Sequence, residues 1–105
     1  MSRASELKVS LVKEVVEFLD KHNITNLEAV DVDEGNSPIV VEDYSTLQDD
    51  YTLDRIKVDK EHGTVDVDAS GCYGNDTFKL SDLSAEIIEG ILDWLNDNEE
   101  TISEL

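Results

Sequence analysis

The chain has 105 residues, 26 acids against 8 bases for a formal net charge of −18, one proline and one cysteine. That length fits one hydrophobic core and is too short for two. The charge opposes direct binding of nucleic-acid phosphates or anionic lipid surfaces, a single Cys72 cannot close an internal disulfide, and no apolar run approaches the about 20 residues of a membrane span.

Leu, Ile, Val and Phe total 31 residues, enough to expect a folded domain over 1–105 in spite of the charge. The N-terminal Met1-Ser2-Arg3-Ala4-Ser5-Glu6 lacks the apolar core of a secretory signal, so a cytoplasmic protein is expected. From Ser5 to Asn23, Leu7, Leu11, Val12, Val15, Phe18 and Leu19 recur at three- and four-residue spacing and predict an amphipathic helix, widened by Val9 and Val16 and stopped at Asn23.

Residues 27–32 and 38–42 are rich in β-branched side chains and flank the turn-forming Asp33-Glu34-Gly35-Asn36-Ser37, which predicts a hairpin with Val30 and Val32 opposite Val41 and Ile39, and with Pro38 opening its strand. Residues 43–50 show no period and read as a surface loop. A second hairpin is better specified. Strands 52–59 and 64–70 flank Lys60-Glu61-His62-Gly63, with Gly63 free to take the left-handed conformation that closes the loop. In that register Ile56 faces Val67 and Val58 faces Val65 on the buried side, while Lys57 opposes Asp66 and Arg55 opposes Asp68 on the other. A slip of one residue would expose the valines.

A glycine-bearing turn over 70–76 precedes a possible edge strand, 77–80. Ser81 or Ser84 then caps a second helix whose stripe is Ile87, Ile88, Ile91, Leu92 and Leu95, with Trp94 at its margin and Gly90 on the outside. The tail from about 97 is polar and expected to fray. The order of elements predicts an α+β fold, a two-layer sandwich in which an antiparallel sheet of four to five strands carries the N- and C-terminal helices on one face.

The charge is uneven along this order. Residues 1–26 sum to zero, 27–60 hold ten acids and three bases, and 61–105 hold twelve acids and only Lys79. The last helix and its approach carry Asp82, Glu86, Glu89, Asp93, Asp97 and Glu100 at helical spacing. On one continuous helix that stripe would run for about 27 Å. On this helix no lysine or arginine stands three or four residues from any of them, and like charges at that spacing cost what a Glu–Lys pair would gain. A solvated acidic face accounts for the pattern, and so does a surface that meets a basic protein.

Other chemistry finds less support. Asp66-Val67-Asp68-Ala69-Ser70-Gly71 begins like a calcium loop, but Thr77 stands where a bidentate Glu is needed, and Asp31–Gly35 has its glycine one place early. His22 and His62 lie in separate elements, Cys72 has no basic neighbour in its segment, and no phosphate loop, dinucleotide fingerprint or zinc ligand set occurs. No catalytic residue, cofactor or metal is therefore expected. Tyr44, Tyr51, Tyr73 and Trp94 are the aromatics expected to reach the surface, with Tyr73 and Trp94 joining the six acids as candidate partner-binding residues. The expected function is non-enzymatic binding of a basic protein surface, as a DNA mimic, inhibitor or immunity protein would do. Acidity imposed by the environment and weak divalent-cation binding are the alternatives.

Overall fold

The structure, a computed structural model, describes residues 3–41, 50–72 and 74–105. The expected α+β sandwich is observed, built on a five-stranded antiparallel sheet. Helix α1, Arg3–Lys21, buries Leu11, Val15, Phe18 and Leu19, the core of the predicted stripe. The chain leaves it through Asn23, whose φ of 56° lies in the left-handed region that Asn tolerates, and the Ile24 amide donates back to the Leu19 carbonyl at 2.9 Å.

The predicted first hairpin does not form. Strand β1, Asn26–Glu28, and strand β2, Ile39–Val41, both pair with strand β3, Tyr51–Asp59, and not with each other. They occupy one edge of β3 in succession, Leu27 opposite Ile56 and Ile39 opposite Thr52, so together they make one interrupted edge strand. The interruption is the short helix α2, Ala29–Asp33. Ala29 and Val32 sit three apart and enter the core, whereas Val30 is 57% exposed, so the segment follows a helical spacing that its two valines had disguised as strand alternation. Gly35, at φ 90°, turns the chain back toward β2, and the Pro38 carbonyl accepts from the Leu53 amide at 2.9 Å. The predicted loop at 43–50 lies outside the described residues except for Asp50.

The second hairpin has the expected register. Between β3 and β4, Thr64–Gly71, Ile56 faces Val67, Val58 faces Val65, Lys57 faces Asp66 and Arg55 faces Asp68, with Gly63 in the turn at φ 66°. A bulge between Leu53 and Arg55 lets Asp54 stand out while Leu53 and Ile56 both point inward. Strand β5, Gly74–Lys79, forms the other edge and starts earlier than expected. A 3₁₀ turn, Leu80–Asp82, buries Leu80 and leads to helix α3, Ala85–Asp97.

Ser84 caps α3, its Oγ accepting from the Ile87 amide at 3.3 Å. Ile88, Ile91, Leu92 and Leu95 are buried beside α1, and with Leu53, Ile56, Val65, Val67 and Ala69 of the sheet they form one core. The tail expected to fray is a further helix, α4, Glu99–Ser103, which buries Ile102. One apolar residue in a polar segment is too weak a local signal, but a single buried isoleucine suffices to dock a helix that its neighbours also hold.

Candidate functional site

Outward direction on α3 is set by the core. Because Ile88, Ile91, Leu92 and Leu95 point in, Glu86, Glu89, Asp93 and Asp97 must point out, and all four are exposed. They rise over about 16 Å of helix. Asp82 and Glu100 are exposed as well, but they belong to the 3₁₀ turn and to α4, and the helix ends at Asn98 with φ −110° and ψ 17°. The stripe is thus a straight run of four carboxylates with one more beyond each end, and not the continuous ladder of six the spacing predicts. Among the described residues none of the six makes an ion pair or a side-chain hydrogen bond.

Glu99 behaves differently. Its Oε2 accepts from Lys21 Nζ at 3.0 Å and from His22 Nε2 at 2.9 Å, which ties α4 to the end of α1. The His22 hydrogen bond, and after it that of Lys21, holds the Glu99 carboxyl below the ordinary glutamate range. The His22 ring also lies 4.7 Å from that of Phe18, so it is fixed from two sides.

The open face of the sheet carries charges arranged in the opposite manner. Two rows cross it, Asn26–Lys57–Asp66–Lys79 and Glu28–Arg55–Asp68–Thr77, so each charged residue has a neighbour of opposite sign on the next strand. Arg55 Nη2 meets Glu28 Oε1 at 3.0 Å, and Thr77 Oγ1 donates to Asp68 at 2.8 Å. The ion pair of Arg55 is therefore with Glu28 on β1, while Asp68, its expected cross-strand partner, is occupied by Thr77. The calcium reading loses its geometry here: Asp66 and Asp68 are strand residues set between cross-strand neighbours, not loop ligands converging on a centre.

Trp94, one of the two aromatic candidates, does not join the acids. Trp94 is 8% exposed and is part of the core, because α3 buries a wider arc than its aliphatic stripe alone defines. Tyr51 is half-buried at the start of β3, its hydroxyl 3.2 Å from where a Cβ on Gly74 would stand. Tyr44 and Tyr73 lie outside the described residues.

Two further features escape a reading of local spacing. Asp59, Glu61 and His62 at the hairpin tip place one ligand-type atom each within 4.8 Å of one another, all exposed. The Asp59 carboxylate is already engaged there: His62 Nδ1 donates at 2.7 Å and the amides of Glu61 and His62 at 3.1 and 3.2 Å, which holds its pKa low and makes it the cap of a turn. A cavity of about 560 Å³ lies where the α2 excursion meets the bulge, edged by Glu28, Asp33, Asp54, Asp68 and Asp76 with Arg55 among them. Its walls come from four separate stretches of chain, so no single motif marks it. No helix among the described residues is long and apolar enough to cross a membrane. No protein family, curated protein or solved structure matches the chain.

Proposed function

We propose that the chain is a non-enzymatic binding protein that presents the outer face of α3, with Asp82 and Glu100 at its ends, to a basic surface on another protein. The observation that supports this reading is a contrast within one molecule: the carboxylates of this face stand unpaired among the described residues, while the sheet face alternates in sign. An acidity imposed only by the surroundings would be expected on both. The helix backbone holds the carboxylates at fixed spacing, so a cationic partner gains their combined field without paying to order them. Occupation of a nucleic-acid-binding site and neutralisation of a basic toxin are the two forms such binding takes here.

Capture on immobilised cationic nucleases and polymerases tests the reading. Capture should fall as salt rises from about 50 to 200 mM, by analogy with phosphate contacts. The triple variant Glu86→Lys, Glu89→Lys, Asp93→Lys should lose it while keeping its circular dichroism spectrum. Capture unaltered by that reversal sinks the assignment.

A further inference from the structure

Two apolar notches that share Val16, Gly63, Thr64 and Val65 run along the flank of α1 beside the β3–β4 hairpin. The larger, about 230 Å³, has Val16, Ile24, Val58 and Val65 on its walls, and the smaller, about 80 Å³, continues to Val12 and Leu80. The valine seam Val9, Val12 and Val16 extends the apolar arc of α1 past the part that the core covers, leaving Val16 37% and Val9 62% exposed. Charge at the rim of the larger notch comes from Glu17, Asp20 and Asp59 against Lys60. Asp59 is committed to the hairpin turn by His62 and two amides. Glu17 and Asp20, one helical turn apart and exposed, have no ion-pair partner among the described residues.

An aliphatic side chain in this notch would leave the two carboxylates unanswered, and a compact cation would leave the valines wet. A long side chain with an apolar stem and a cationic head satisfies both. We propose that the notch seats an arginine or lysine side chain of a protein partner, the stem on Val16, Val58 and Val65 and the head at Glu17 and Asp20. Arginine fits better, because its guanidinium is the more weakly hydrated head. The assignment concerns the hairpin flank of α1 and does not depend on the role of α3.

A methyl-resolved NMR titration of the full chain with n-butylguanidinium, guanidinium and n-butanol tests it. Saturable shifts are expected at the Val16, Val58 and Val65 methyls with n-butylguanidinium, and binding of guanidinium about tenfold weaker, the effect of roughly two methylenes left unburied. The double variant Glu17→Gln, Asp20→Asn should bind n-butylguanidinium about fivefold more weakly, as two exposed ion pairs allow. Equal response to n-butanol would reduce the notch to an apolar site without preference for a cation and overturn the proposal. So would full affinity in the double variant, or shifts that follow guanidinium alone and spread along the α3 acids.

Discussion

The open face of the sheet and the outer face of α3 both meet solvent, yet they solve the problem of charge in opposite ways. On the sheet, three bases and three acids share two rows, each charge beside its opposite. On α3, four acids follow one another with no base among them. Cross-strand neighbours stand about 4.5–5.5 Å apart, and like charges directly opposite destabilise the pairing, so a sheet that must hold its register has reason to mix signs. A helix pays a similar penalty for each like pair, and α3 carries Glu86–Glu89, Glu89–Asp93 and Asp93–Asp97 without compensation. The net charge of −18 is therefore not a uniform coating. The α3 run is a part of it that the fold tolerates at the expense of some helix stability.

If α3 bears that repulsion, its place must come from packing. Leu95→Ala, a fully buried position, is expected to cost about 2–5 kcal/mol in chemical denaturation, whereas Thr52→Ala on the open sheet face should stay within about 0.5 kcal/mol. A Leu95→Ala cost below about 1 kcal/mol would mean that something other than the core holds the helix. Gly90→Ala provides the next largest effect, in the opposite direction. The position is exposed in the middle of α3 and an added Cβ meets nothing within 4 Å, so a gain of about 0.8–1 kcal/mol is expected from helix propensity alone. A loss would show that Gly90 answers to a constraint the helix itself does not impose.

What could be read from the sequence follows from where each determinant lies. The β3–β4 hairpin was legible to the residue, because the alternation of Ile56, Val58, Val65 and Val67 and the placement of Lys57 and Asp66 demand the same register. The outward run Glu86 to Asp97 was legible from helical spacing, and the cap was narrowed to Ser81 or Ser84, of which Ser84 fills it. The edge made by β1 and β2 was not, since three-residue strands carry no mark of which strand they pair with, and Val30 and Val32 fit an alternation that the buried pair Ala29 and Val32 overrides. Glu99 escaped notice because its partners are Lys21, the last residue of the first helix, and His22, just beyond it. Trp94 was misplaced for a geometric reason: spacing fixes the direction of a side chain from its helix but not how deeply that helix is embedded.

The two faces should also respond oppositely to loss of charge. Asp93→Asn relieves two like-charge neighbours on α3 and is expected to stabilise by about 0.2–0.5 kcal/mol for each, an effect that fades as salt rises. Lys57→Gln removes a cation beside Asp66 and should destabilise by about 0.2–1 kcal/mol. Two changes of the same sign, read in parallel urea titrations at low salt, would erase the distinction between the faces.

The finest test falls on Glu99, the acid of the helical face that does have basic partners. Its hydrogen bonds from His22 and Lys21 place its folded pKa below the unfolded value. The pair's contribution is then fully present above the ordinary glutamate range and is lost as pH falls through the lower, folded value. In a carboxyl carbon NMR titration Glu99 should protonate below the ordinary range, and the double variant His22→Gln, Lys21→Met should move it upward while amide protection in α4 declines. Side chains on this surface are hydrated, so the effect on global stability should be small and the titration is the sensitive measurement. A Glu99 midpoint unmoved by that double variant would mean that α4 is held by Ile102 alone, and that neutralisation plays no part in how the acidic face ends.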